Sequence, residues 1–189
     1  QQGGATVCGA GVERGGNGRI GRVKEVEVGL RKGTDKIKGD RTEGDRCGRG
    51  DYQLWTGPAP MLPYVHARHH QMWRVHLAYG GGQLMDWIGH HNDIAHWGLG
   101  EDRGGPIRVE ARNFTWIPVP VYQAPEHYEV HCEYAGGIQT SIGTHNTMGT
   151  KFIGNEGWVY VNRGKIDSPN RYGLTPGFNP AQLKPNQPR

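Results

Sequence analysis

"HYEVHCEY", His127 to Tyr134, is the stretch whose reading decides the fold class. In an extended chain Tyr128, Val130, Cys132 and Tyr134 share one face, and His127, Glu129, His131 and Glu133 share the other. That two-residue period belongs to a strand with one side on a core and one toward water. Other stretches read the same way. "VKEVEVGL" sets Val26, Val28 and Leu30 against Glu25 and Glu27, and "PIRVEARNF", "IQTSIGT" and "WVYVNRG" follow downstream, separated by turn signals at Gly136-Gly137 and from Asn155 to Gly157. Consecutive strands joined by short connections pair antiparallel. The expected architecture is therefore an antiparallel sheet.

Between the first strand and the rest lies "YGGGQLMDWIGHHNDIAHWGLG", Tyr79 to Gly100, which has a helical period. At about 100° per residue, Asp86, His90, Asp93 and Trp97 fall on one narrow stripe. Leu84, Trp87, Ile88, His91, Ile94, Ala95 and Leu99 fall on the opposite side, which is the face expected to pack on the sheet. The division separates two adjacent histidines: His91 belongs with the core, as a buried imidazole hydrogen-bonded within the fold, and His90 belongs with the polar stripe. Asp86 and Asp93 bracket His90 by about one turn each. A carboxylate one turn from an imidazole suits acid/base work near neutral pH. The same set would suit a metal if "HARHH" (His66, His69, His70) supplied further ligands, or a structural cluster of ions and hydrogen bonds; spacing leaves all three open. The glycines Gly80 to Gly82 allow a close backbone approach at the start of the helix, and a tight turn explains them equally well.

The 189 residues suffice for one sizeable core. With 32 glycines and 12 prolines the chain is loop-rich, but 6 Trp, 8 Tyr and clear strand patterns argue against disorder. The formal charge of +4 is spread over Arg14 to Arg49 and the tail, and no nucleic-acid-binding motif accompanies it, so no nucleic-acid partner is expected. Cys8, Cys47 and Cys132 are far apart and in no C-x-x-C pair, which indicates free thiols. No run of about 18 apolar residues is present, so no membrane span is expected. The chain shows no signal peptide; it reads as soluble, with the compartment, cytoplasm or periplasm, left open. "VCGAGVERGG" mimics a dinucleotide loop, but Arg14 stands where the third glycine of G-x-G-x-x-G should be, and we reject it. "LWTGPAPMLPY" reads as extended and proline-stiffened, and residues 32 to 50 as an exposed charged excursion. The organisation expected is an irregular segment 1–16, an α+β domain 17–166 and a proline-rich arm 167–189.

The helix segment, together with "NGRIGRVKEVEVGL", "YQLWTGPAP", "HQMWRVHLAYGGGQ" and "KFIGNEGWVYVNRG", resembles the C-terminal, substrate-binding domain of the glucose-fructose oxidoreductase, inositol dehydrogenase and MocA family, in its planctomycete-type branch. The resemblance implies an α+β fold with an open, predominantly antiparallel β-sheet and helices packed on one face. It further implies that Asp86 and His90 occupy the family's D-x-x-x-H catalytic positions. His90 would exchange the proton of a sugar or polyol hydroxyl while a nicotinamide takes the hydride, Asp86 would orient and polarise that imidazole, and Asp93 would fix the helix. Arg74 and His69 are candidates for holding substrate hydroxyls. Members of the family bind NAD or NADP on an N-terminal Rossmann domain with an E-K-P lysine motif; this chain has neither, and resembles the substrate half, with no cofactor expected for the chain alone. The partners implied are that Rossmann domain, the sugar or polyol, and further copies of the chain, as a homo-oligomer packed through the sheet face.

Readings from other classes stand beside this one. A cofactor-free binding or oligomerisation module could use the second face of "HYEVHCEY". An NAD-dependent glycosidase half would share the same residues, and a metal-dependent hydrolase or lyase would use His66, His69, His70 and His90.

Overall fold

Val26 and Val28 alternate with glutamates along β1 (Val23–Gly29), and both are fully shielded from solvent because this strand runs through the middle of the sheet. In the computed structural model, which describes residues 20–33, 42, 44, 51–101 and 103–169, six more strands follow. They are β2 (Arg108–Trp116), β3 (Pro125–Glu133), β4 (Gln139–Gly143), β5 (Gly149–Gly154), β6 (Trp158–Asn162) and β7 (Lys165–Asp167). All seven form one sheet in the order β2-β3-β4-β1-β5-β6-β7. Five neighbouring pairs are antiparallel, and β1 with β4 is parallel, Val26 opposite Thr140 and Val28 opposite Ile142. The α+β fold with an open, predominantly antiparallel sheet is thus the one observed.

The parallel pair has a simple origin. β4 and β5 are joined by a short turn, yet β1 is inserted between them, so it runs with one and against the other. On the core side Tyr128, Cys132, Ile142, Phe152, Val159 and Val161 form a continuous buried surface with the two valines. Cys132 is a free thiol within it; Cys8 and Cys47 lie outside the described residues.

Two helices accompany the sheet among the described residues. The first, α1 (Tyr52–Thr56), corrects the reading of "LWTGPAPMLPY" as wholly extended: Leu54, Trp55 and Thr56 belong to this helix. Asp51 supplies the local reason, since its carboxylate accepts from the backbone N–H groups of Gln53 (2.9 Å) and Leu54 (3.1 Å), an N-cap that offsets the lack of intrahelical partners. Asp51→Ala should destabilise the fold by about 1 kcal/mol, read as a drop in melting temperature; no drop would mean that α1 is held by packing alone.

The second helix, α2 (Gly82–Leu99), ends at Gly100 in the left-handed region (φ 73°). Ile94 and Ala95 are buried against the sheet, and Leu84, Trp87, Ile88 and Leu99 pack beside them. A smaller apolar cluster of Met72, Val75, Ile117, Tyr122 and Ala124 anchors the 3-10 turn Met72–Val75, and Tyr122 OH donates to Ala67 O (3.0 Å) in the 3-10 turn His66–Arg68. The expected segment 1–16, most of the charged excursion 32–50 and most of the arm 167–189 fall outside the described residues. Gly33, at the start of that excursion, is buried and its N–H donates to Glu126 O (2.7 Å), so the chain is tied to β3 there. Among the described residues no helix is long and apolar enough to cross a membrane.

Candidate functional site

The polar stripe of α2 faces outward, as its period requires. Asp86, Asp93 and Trp97 are exposed, His90 is half-buried, and His91 on the other side is 1% exposed. The His91 imidazole donates from Nδ1 to Gly29 O at the end of β1 (2.8 Å), and its own backbone carbonyl accepts from Thr150 Oγ1 (2.8 Å). These two bonds lock the middle of the helix over the ends of β1 and β5. Burial pushes the His91 pKa down, and its Nε2 is buried without a partner among the described residues.

Asp86 meets Arg74 rather than His90. Nε of Arg74 lies 3.5 Å from Oδ1 of Asp86, and among the described residues no hydrogen bond joins Asp86 to His90. The glycine run explains how the two chains come so close: a Cβ on Gly80 would lie 2.8 Å from Arg74 O, and one on Gly82, whose φ is +67°, would lie 2.4 Å from Ala124 Cβ. The close approach these glycines allow is therefore internal, setting the Met72–Val75 turn against the start of α2. Arg74 and Asp86, both exposed by more than a third, form a solvent-screened pair whose value is orientation more than stability.

His69 lies in a different environment. Its ring stacks on Tyr64 (4.7 Å between centroids) and packs on Trp55 (4.3 Å) and Tyr52 (5.7 Å). Nδ1 donates to Val65 O (3.0 Å), and Nε2 is buried with no partner among the described residues. Burial, opposed by that backbone bond, lowers its pKa. Among the described residues no hydrogen bond, ion pair or ring contact joins His69 to Asp86, His90 or Asp93. Likewise, no three His, Cys, Asp or Glu side chains among the described residues gather as a metal site, so the histidines at 66, 69, 70 and 90 do not converge.

Sequence reading missed two residues beside Trp87. The guanidinium carbons of Arg31 and Arg163 lie 4.5 Å and 4.9 Å from the Trp87 ring centroid, and the His90 ring meets the same indole edge-on at 5.4 Å. The available signal was positional: Arg31 follows β1 and Arg163 follows β6, at strand ends that the topology brings together.

Among the described residues one long helix lies against the mostly antiparallel sheet, and its outward stripe carries Asp86 and His90. A family model described as the oxidoreductase family, C-terminal alpha/beta domain, matches residues 44–173, and the chain belongs to that family. No curated protein matches the sequence. Among solved structures, levoglucosan dehydrogenase in complex with NADH is similar at 17% identity and TM-score 0.56, over 88% of this chain and 41% of that one. An oxidoreductase from Thermotoga maritima follows at 16% and 0.53, over 88% and 43%, and aldose-aldose oxidoreductase from Caulobacter crescentus complexed with glycerol at 15% and 0.53, over 87% and 42%. At such identities the likeness is one of fold. The chain spans less than half the length of each of these proteins.

Proposed function

We propose that this chain is the substrate-binding half of an NAD(P)-dependent oxidoreductase acting on a sugar or polyol hydroxyl, with His90 as the acid/base. The observation that carries the reading is the outward, half-buried His90 on the stripe it shares with Asp86 and Asp93, within a domain of this oxidoreductase family. The described residues do not fit a dinucleotide: they hold no glycine-rich loop between a strand and a helix, and their first strand is followed by 3-10 turns and a five-residue helix. In this proposal the nicotinamide, which supplies hydride acceptance in such enzymes, sits on a separate nucleotide domain. This chain's part is to hold the substrate hydroxyl and move its proton at His90 Nε2 or Nδ1. Asp86, paired with Arg74, orients that stripe, and Asp93 supports it one turn on.

Two linked measurements test this. Titration of the chain with NAD+ and NADP+ by calorimetry should give no binding tighter than about 100 μM, near −5.5 kcal/mol, whereas the protein carrying both halves should reduce NAD+ or NADP+ when supplied with a sugar or polyol. Tight binding by the chain alone would place a nucleotide site within it and refute the division of labour. An inactive two-domain protein, tested over a broad sugar set, would favour the binding-module reading instead. We further propose that copies associate through the sheet face opposite α2, where Glu27 pairs with Lys151 (3.3 Å) and Glu129 with His131 (2.6 Å).

A further inference from the structure

Arg68 is a buried cation with no carboxylate beside it. It ends the 3-10 turn His66–Arg68 and is 5% exposed. Among the described residues its guanidinium forms no ion pair, its Nε is buried without a partner, and Nη2 donates to Pro63 O. Acids on the surrounding elements are turned elsewhere: Asp51 caps α1 and Asp86 meets Arg74. Burial lowers the pKa of His69 and of His76, and the positive charge of Arg68 pushes both the same way.

A guanidinium withdrawn from water is costly unless oxygens take the place of that water. It carries N–H donors and no acceptor, so what the group lacks is acceptor oxygens, and anionic ones serve best. Its planar edge is a fork that matches the paired oxygens of a carboxylate or phosphate. The guanidinium carbon lies 5.7 Å from the Tyr79 ring centroid, and Trp55 meets Tyr79 at 5.5 Å and His69 at 4.3 Å. Trp55 is 40% exposed, which keeps this ring cluster in touch with solvent. His69 gives its Nδ1 proton to Val65 O, which leaves Nε2 as an acceptor, buried and without a partner among the described residues. A hydroxyl would satisfy it.

We propose that Arg68 anchors an anion-binding site within the ring cluster of Trp55, His69 and Tyr79, and that its ligand is a small hydroxylated anion: a carboxylate or phosphate for the guanidinium, with a free hydroxyl for His69 Nε2. The site stands on the burial and charge of Arg68 and does not depend on His90 as acid/base.

The test uses binding alone. The chain at low ionic strength is titrated with glucuronate, glucose 6-phosphate and, as a neutral control, glucose, with tryptophan fluorescence and the Nε–H resonance of Arg68 as readouts. At least one of the two anions should move both readouts to saturation, with an affinity about tenfold or more above that of glucose; glucuronate alone would point to a carboxylate and glucose 6-phosphate alone to a phosphate. Arg68→Met, which removes the charge and keeps an apolar side chain in its place, should abolish that preference while the circular dichroism spectrum is unchanged. If this variant does not fold, the Arg68 resonance in the parent chain decides by itself. A resonance that stays in place while the anion saturates the fluorescence, glucose binding as tightly as the anions, an anion response that survives Arg68→Met, or no saturable response would each overturn the proposal. No turnover is read, so these outcomes are the same whether or not His90 proves to be the acid/base.

Discussion

Replacing His90 by alanine in the two-domain protein is expected to lower turnover by about 10²-fold or more while the fold and melting temperature are kept. A positioned acid/base contributes typically 10²–10⁴-fold, and His90 is placed to act as one: it is half-buried, on the outward stripe, with Trp87 fixing one edge of its ring. Asp86→Asn should cost less, roughly tenfold, because the Asp86 carboxylate contacts Arg74 and reaches the imidazole only through the orientation of the stripe. The two roles separate in the pH profile of kcat. Loss of the acid/base removes one limb of the profile, whereas loss of a positioning carboxylate shifts the limb and keeps it. Turnover unchanged in His90→Ala would eliminate the assignment, and a larger loss from Asp86→Asn than from His90→Ala would transfer the central role to the carboxylate.

The features legible in the sequence were those set by local period. Alternation in "HYEVHCEY" identified the buried side of β3 correctly, with Tyr128 and Tyr134 both 1% exposed, and the helical period placed His90 outside and His91 inside. What the period could not carry was anything decided by distant partners. The insertion of β1 between β4 and β5 depends on pairing across more than a hundred residues, for which alternation gives a face but no neighbour. α1 escaped notice because five residues are too few for a periodic signal, and the prolines at 58, 60 and 63 dominate the stretch. In the site, Arg74 was expected to hold substrate hydroxyls; its pairing with Asp86 depends on a tight 3-10 turn and on Gly80 lying against its backbone. Trp87 was read only as core, since the helical wheel shows which side a residue faces and not that strand-end arginines will lie on its ring.

His91→Asn should lower the stability of the chain at pH 7.5 by about 2–4 kcal/mol, and at the same time flatten its dependence on pH between 7.5 and 5.5. The first effect follows from removing a 1% exposed ring and loosening the bond to Gly29 O, a cavity together with a disturbed buried acceptor. For a chain of this size that is on the order of 5–15 °C in melting temperature. The second effect follows from proton linkage. Burial holds the folded pKa of His91 below the ordinary 6.5, and charging the ring would put a proton on Nε2, where no partner among the described residues accepts it. As the pH falls through 6.5 the unfolded chain takes up this proton first, so the stability His91 contributes is full above that pH and is lost below it, toward the folded pKa. The slope is at most about 1.4 kcal/mol per pH unit for one such group. His76, also buried and lowered by burial, adds in the same sense, and the more open His69 adds less. Glu110 and Glu129, both lowered by hydrogen bonds on the surface, act in a separate window: their contribution is present above about pH 4.5 and fades below it, so it does not confuse the measurement. Chemical denaturation at pH 7.5, 6.5 and 5.5 reads both effects. A variant as stable as the parent would mean that His91 is not holding α2 to the sheet, and an unaltered slope would mean that its ring is charged in the folded chain, in which case the polarity of the two helix faces would have to be assigned again.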